Sequence, residues 1–194
     1  MNFILASANE HKSQELSSLL ATSGLCVSAA SKKIDVIEDG ESFSENAFKK
    51  AQAYYEHFKS PVVSDDSGLI VQTLPGELGI HTARFGGEGL SDEQRSKKLL
   101  EQLEEQKVRN AYFICLLCFY FGPDEYYFFE GRLNGEISHE YKGDQGFGYD
   151  PVFIPEAFSE QGQTLAQLGE WKSMHSHRAQ ACFFASKFFE NFQI

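Results

Sequence analysis

Two adjacent carboxylates, Asp65 and Asp66, follow the apolar pair Val62 and Val63 and precede Ser67 and Gly68, within PVVSDDSGLIVQTLPGELGIHTAR, residues 61–84. Neighbouring carboxylates repel each other, so a site that keeps both implies a cation, hydrogen-bond donors or one raised pKa. The valines predict a buried strand, and Gly68 predicts a sharp backbone turn or a close approach to a ligand. The two acids are then expected at the strand's exit, where a metal or a water can be held. An Asx turn capping a loop would use the same residues.

Groups that answer negative charge occur elsewhere. Ser7, Ala8, Asn9, Glu10, His11 and Lys12 lead from a strand into a helix. The first N–H groups of a helix lack intrahelical partners, which makes a phosphate site within reach of Lys12. It is not a P-loop, because GxxxxGK[ST] is absent. Glu45, Lys49 and Lys50 open a second helix, with Glu45 and Lys49 spaced for an i,i+4 pair worth about 0.2–0.5 kcal/mol. At the last helix Ser176 is the expected cap, and His177 and Arg178 fall in the first turn, where the dipole disfavours cations. That placement points to an acceptor-rich ligand or to solvation at a frayed end, and Lys172 adds to the cluster. His175 and His177 lack a cysteine or carboxylate at a familiar zinc spacing. Phe147 and Tyr149, in a glycine-rich turn, suit stacking on a base, or packing in a core.

The elements that must position these groups can be read in order. Residues 3–6 form a strand; Leu16, Leu19 and Leu20 then recur at helical spacing, with Ser7 and Glu10 as a capping box or Asn9 as the cap. A second helix runs from near Ser44 towards Phe58, burying Ala47, Ala51, Tyr54 or Tyr55, and Phe58. The carboxylate strand follows, then a glycine-rich loop long enough to suggest function. Residues 91–107 read as a helix with Ser91 and Gln94 as a capping box, Leu99, Leu100 and Leu103 inward, and a solvated charged face. Residues 111–121 and 126–133 flank GPDE as an antiparallel hairpin, Asn134-Gly135 marks a turn, and residues 152–154 are a short strand. Phe183, Phe184, Phe188 and Phe192 fall in a helical pattern over residues 176–192 that is expected to dock on the core.

Composition bounds the class. A chain of 194 residues, 42% hydrophobic, predicts one domain with one substantial core, in one or two lobes. A net charge of −11 argues against a nucleic-acid surface. The start carries no signal-peptide pattern, and the longest apolar run, residues 111–121, is far short of the roughly 20 needed to span a bilayer. No membrane association is expected. Cys115 and Cys118 have CxxC spacing, but on a strand residues three apart face opposite ways, so they read as core thiols of a reducing cytoplasm.

Together these segments resemble the inosine triphosphate pyrophosphatase family, of the Ham type, which hydrolyses non-standard purine nucleoside triphosphates. The resemblance covers nearly the whole chain through ILASANEHKSQEL, SFSENAFKKA, SDDSGLIV, GELGIHTARFGG, GFGYDPVFIPE and KSMHSHRAQA, in the family's order. It implies an α/β fold, with a central elongated mixed sheet flanked by helices and two lobes around a nucleotide cleft, and a homodimer in the cytoplasm. It implies hydrolysis of ITP, dITP or XTP to the monophosphate and pyrophosphate with Mg²⁺, which sanitises the nucleotide pool. Ser7, Ala8, Asn9, Glu10, His11 and Lys12 match the triphosphate turn, Glu45 and Asp66 the magnesium ligands, and Asp66 also the proton acceptor. By the same resemblance Asp65 would support that pair, Ser67 would be a nucleotide contact, and Lys50 matches the helix lysine that reaches the phosphates. Phe147, Gly148, Tyr149 and Asp150 match the base-contacting turn, and Lys172, His177 and Arg178 the contacts that favour a 6-keto purine. Ser7 and Ala8 stand where Thr and Gly are usual, Gln167 stands where Glu is usual, and the chain is one residue shorter before Lys172. A Maf-type pyrophosphatase and an inert nucleotide-binding sensor are the alternatives; the FGYDP and SHR segments favour the purine family, and the retained acids favour turnover.

Overall fold

The computed structural model describes residues 1–7, 9–21 and 25–190. Eleven strands and α-helices are described among them: β1 (Asn2–Ala6), α1 (Glu10–Ala21), β2 (Cys26–Ala29), α2 (Phe43–Phe58), β3 (Val62–Val71), α3 (Asp92–Gln102), β4 (Asn110–Gly122), β5 (Glu125–Ile137), β6 (Phe153–Pro155), α4 (Gly169–His175) and α5 (His177–Glu190). Six strands form one sheet in the order β2-β1-β3-β4-β5-β6. β1 runs parallel to β2 and β3, and β5 runs antiparallel to β6. Neighbouring β4 and β5 are joined by only Pro123 and Asp124, a connection that antiparallel strands alone can make. The mixed sheet expected for an α/β chain is therefore present.

The chain divides into two compact units. The first comprises residues 1–67, 115–131 and 177–194, and the second residues 68–114 and 132–176. In the first unit the pleat sorts side chains by parity. Val63, Cys115, Leu117 and Phe119 pack with Leu16 and Leu20 of α1 and Ala181, Cys182, Ala185 and Phe189 of α5. Val62, Cys118 and Tyr120 pack with Ala47, Ala51 and Tyr54 of α2. Since alternate strand residues face opposite ways, α1 and α5 cover one face and α2 the other. Cys115 and Cys118 thus belong to different cores, and both are free thiols. In the second unit Leu69, Val71, Phe113, Leu133 and Ile137 pack with Leu99 and Leu103, the inward side of α3. Among the described residues no helix is long and apolar enough to cross a membrane.

Several local expectations change. β3 does not end at the aspartates; it continues through Gly68 to Val71. Gly68 serves the close approach of a neighbouring segment, because a Cβ there would lie 2.3 Å from the Gly79 carbonyl oxygen and 2.7 Å from Thr82 Oγ1. Asn134-Gly135 is not a turn but the interior of β5, where a Cβ at Gly135 would come within 2.2 Å of the Ile154 oxygen on β6. In both places glycine is needed for space, a requirement indistinguishable from a turn in sequence. α3 stops at Gln102 rather than reaching residue 107, although its Ser91/Gln94 capping box forms as expected. The short strand is Phe153–Pro155 rather than residues 152–154. Phe183, Phe184 and Phe188 are not buried in the core but remain exposed, because α5 buries Ala181, Cys182, Ala185 and Phe189 instead. Phe192 and Ala8 lie outside the described residues.

Candidate active site

In the first unit, β3 and three helices assemble the charged cluster. Asn9, not a Ser7/Glu10 box, caps α1: its Oδ1 accepts the Lys12 N–H at 3.1 Å, while Ser7 Oγ accepts the Asn9 N–H at 3.2 Å. This leaves the Lys12 side chain to reach the sheet. Its Nζ lies 3.1 Å from Asp65 Oδ2. The same carboxylate oxygen accepts from Ser67 Oγ at 3.1 Å. Arg178, at the start of α5, donates to Ser67 Oγ at 2.9 Å and pairs with Glu15 at 3.2 Å. Asp65 is 1% exposed and Arg178 5%, so this is a buried ion network rather than a solvated helix end. Burial alone would raise the Asp65 carboxyl, but Lys12, Arg178 and Lys50 hold it well below the ordinary carboxylate range.

Asp66 points the other way, as the next residue on a strand must. It shares the α2 face with Ser64, whose hydroxyl donates to the Ala47 carbonyl at 2.6 Å. Its Oδ1 accepts the Ser67 N–H at 3.0 Å, and its Oδ2 is buried with no hydrogen-bond partner among the described residues. Burial raises its pKa to about 6 against the lowering pull of Lys50 and Lys12, with the Asp65 charge adding to the rise. The two aspartates are thus tolerated as neighbours because the pleat separates their side chains, and one is ion-paired while the other is a weakened acid.

α2 carries the next group of sequence-predicted residues. Ser42 caps it by accepting the Glu45 N–H at 3.2 Å, and Glu45 Oε2 accepts the Glu41 N–H at 2.7 Å. Glu45 is exposed at the helix start, its carboxylate oriented by that bond. The expected Glu45–Lys49 pair gives way to Lys49–Asp39 at 2.8 Å, because the segment before α2 folds back along it. Lys50 donates to the Asp65 carbonyl at 3.0 Å and pairs with Glu38 at 3.0 Å. Glu45 and Asp66 are two carboxylates, and among the described residues no group of three or more His, Cys, Asp or Glu is placed to hold a metal. Two carboxylates with the remaining positions left to water and phosphate suit Mg²⁺, a hard ion that dehydrates reluctantly. The orphaned Asp66 Oδ2 is the kind of acceptor such an ion would satisfy.

The second unit holds the aromatic turn. Phe147 N–H donates to Asp150 Oδ2 at 2.9 Å, and Lys172 Nζ donates to the same oxygen at 2.8 Å. The Lys172 ammonium also lies 4.8 Å from the Phe147 ring centroid, a cation–π distance. Asp150 and Tyr149 are each 4% exposed, whereas Phe147 and Gly148 are only partly covered. Tyr149 O–H donates to the Thr82 carbonyl at 3.0 Å, so this ring is fixed in the core while Phe147 is presented. The one-residue shortening leaves Lys172 in contact with the turn, and Gln167 closes a capping box with Thr164. A cavity of about 690 Å³ elsewhere in this unit, lined by Gln72, Tyr112, Arg132 and Glu136 among others, holds none of the predicted site residues.

The structure therefore joins Lys12, Lys50, Asp65, Asp66, Ser67 and Arg178 in one cluster, and Phe147, Gly148, Tyr149, Asp150 and Lys172 in another. His177 is buried at the start of α5, and Glu10 and His11 are exposed on the first turn of α1. Glu15, Glu38 and the buried Asn46, whose Oδ1 accepts the Gly40 N–H at 2.8 Å and whose side chain favours the Asp66 charge, were missed. Glu15 lies three residues after Lys12, on the same face of α1, which is the one signal that could have found it.

The profile of the Ham1 family matches residues 3–187. A protein of Aquifex aeolicus (strain VF5) named dITP/XTP pyrophosphatase is 40% identical over 191 residues, 93% of each chain. One of the same name from Treponema denticola is 39% identical over 193 residues, 97% of this chain and 98% of that protein. Among solved structures, the Ham1 protein of Staphylococcus aureus superposes with a TM-score of 0.85 at 37% identity, covering 98% of both chains. A HAM1 protein from Coxiella burnetii gives 0.87 at 30% identity, covering 99% of this chain and 100% of that one. With the acidic strand, the capped Lys12 turn and the aromatic turn all within the matched span, this chain belongs to the Ham1 family.

Proposed function

We propose that this protein hydrolyses the non-standard purine nucleoside triphosphates ITP, dITP and XTP to the nucleoside monophosphate and pyrophosphate. The observation that carries the reading is Asp66: a buried carboxylate with one unpartnered oxygen and a pKa raised to about 6, in the field of Lys50 and Lys12. Before a metal binds, a carboxylate so weakened is a better proton acceptor than a solvated one and is still ionised at neutral pH. The names of the Aquifex and Treponema relatives support the substrate class.

Asp66 takes the proton of a water whose oxygen bonds to the α-phosphorus. The bond from that phosphorus to the bridging oxygen breaks, and pyrophosphate leaves. Lys12 and Lys50, with the first N–H groups of α1, answer the charge of the leaving group. Asp65 stays ionised throughout and holds Lys12 and, through Ser67, Arg178 in place. In the second unit, the Phe147 ring stacks on the base and Lys172 donates to a 6-keto oxygen. In the first, His177 and Arg178 serve as nucleotide donors. An amino group at position 6 would leave such buried donors facing another donor, which is the basis for rejecting ATP. Glu45 and Asp66 would hold Mg²⁺, which when bound neutralises phosphate charge and acts as a Lewis acid.

The protein is proposed to act as a cytoplasmic homodimer. The exposed Phe183 and Phe184 on α5 support an apolar contact surface. The test of the activity is a panel of nucleoside triphosphates with pyrophosphate detection, with and without Mg²⁺. Release from ITP, dITP and XTP well above that from ATP and GTP is expected. Equal hydrolysis of ATP and ITP would overturn the selectivity, and ITP binding without turnover would make the protein a sensor.

A further inference from the structure

The aromatic turn is held partly from within, the Asp150 N–H donating to the Phe147 carbonyl at 3.3 Å and the Phe147 N–H to Asp150 Oδ2 at 2.9 Å, but the N–H and carbonyl of its central residue, Gly148, at φ +62°, find their partners outside it. Both are taken up by α3. The Gly148 N–H donates to Asp92 Oδ2 at 2.8 Å, and the Gly148 carbonyl accepts from Ser96 Oγ at 3.1 Å. Asp92 and Ser96 are four residues apart and so lie on one face of the helix. That helix is itself well anchored. Its first turn is closed by the Ser91/Gln94 capping box, Leu99 is fully buried, and Arg95 donates to the carbonyls of Phe85, Gly87 and Leu90. A Cβ at Gly148 would meet nothing within 4 Å, so the turn's outer side is open space rather than core.

An exposed aspartate and a buried serine, both on a helix whose polar side reads as solvated, are thus committed to one glycine more than fifty residues away in sequence. Core packing needs neither bond, since Tyr149 is already fixed through Thr82 and Asp150 through Lys172. What the two bonds do fix is the orientation of the Gly148 peptide groups between Phe147 and Tyr149, and with it the backbone from which the half-covered Phe147 ring is offered. We propose that Asp92 and Ser96 are positioning residues for base recognition: they hold the Gly148 peptide groups so that the Phe147 ring is pre-oriented for the purine. This rests on the reading that the turn contacts the base.

The test compares Asp92→Ala, Asp92→Asn, Ser96→Ala and Phe147→Ala with the unaltered protein, measuring kcat and KM for ITP and ATP and hydrogen exchange at the Gly148 amide. Asp92→Ala and Asp92→Asn both remove the charge from the first turn of α3, but only Asn keeps an oxygen that can accept the Gly148 N–H. Loss of one hydrogen bond to a charged acceptor is expected to raise KM for ITP by about tenfold in Asp92→Ala with kcat nearly unchanged, and to quicken Gly148 exchange by a similar factor. Asp92→Asn restores most of both, Ser96→Ala shows a smaller rise in KM, and the preference for ITP over ATP narrows in Asp92→Ala. Equal impairment of Asp92→Ala and Asp92→Asn, or faster Gly148 exchange with KM unchanged, would overturn the positioning role. Phe147→Ala separates the two readings. If it raises KM while Asp92→Ala does not, the Asp92 assignment fails; if it leaves KM unchanged, the contact between turn and base fails and the proposal with it.

Discussion

Asp65 and Asp66 differ by one position and by the whole of their electrostatic environment. Asp65 faces Lys12 and Ser67 and is held ionised; Asp66 lies on the opposite side of the strand and is driven towards protonation by burial. The sign of the second shift makes a stability prediction. A carboxyl whose folded pKa is raised to about 6 contributes stability that is fully present below its ordinary value and is lost as pH rises through 6. In chelator at pH 7.5, Asp66→Asn should therefore melt above the unaltered protein, by up to roughly 2–3 kcal/mol of stability, with the difference vanishing below about pH 4. The same variant should lose turnover on ITP, so that a folded, more stable and inactive protein is expected from melts and pyrophosphate release together. Asp65→Asn should do the reverse to stability. It leaves Lys12 without its buried counter-charge and Arg178 with Glu15 alone, and should cost about 3 kcal/mol in denaturant titration at neutral pH, most of it disappearing as pH falls towards the depressed pKa.

At the scale of elements, β3 carries the most consequence per residue. Its apolar start and its acids were legible, but its length was not, because Gly68 reads locally as a turn. In the folded chain the 3₁₀ turn Gly79–Arg84 lies against Gly68, and Thr82 Oγ1 bonds both the N–H and the carbonyl of Leu69. Gly68→Ala should destabilise by about 1–3 kcal/mol, as overpacking does, and chemical denaturation should register it without any change in the pH dependence assigned to Asp66. Gly135 in β5 was misread for the same reason: nothing near it in sequence signals that β6 passes against it. Helix starts were better served. The Ser91/Gln94 box is a contact between residues three apart and forms as read, whereas at α1 the two caps open in the sequence resolve to Asn9.

At the scale of the molecule, the chain builds two compact units with separate apolar clusters, one carrying the Lys12, Lys50, Asp65 and Arg178 charges and the other presenting the aromatic turn. The surface left over is informative too, since Phe183 is 56% exposed and Phe184 52%, an uncommon outlay of aromatic area for a helix otherwise docked on the core. Sedimentation at micromolar concentration should give a species of about twice the 21.9 kDa chain mass, and Phe183→Ser with Phe184→Ser should shift it to the monomer with the melting transition little changed. A monomer in the unaltered protein would remove the homodimer from the proposed function.

By itself the sequence determined the class of the chain, its helix and strand periods, the ordered motifs that carry the family and nearly every residue of the charged cluster. These depend on residue type and short spacing, and both are present before the chain folds. Only the tertiary structure decided that Asp65 and Asp66 serve opposite faces, that Arg178 is shared between Ser67 and Glu15, and that α3 grips Gly148. Each is a contact between segments far apart in the chain, or a consequence of which face a helix covers. A pKa depends on burial and on charges brought near by folding, so two identical side chains, adjacent in sequence, acquire their different chemistry only when the sheet is formed.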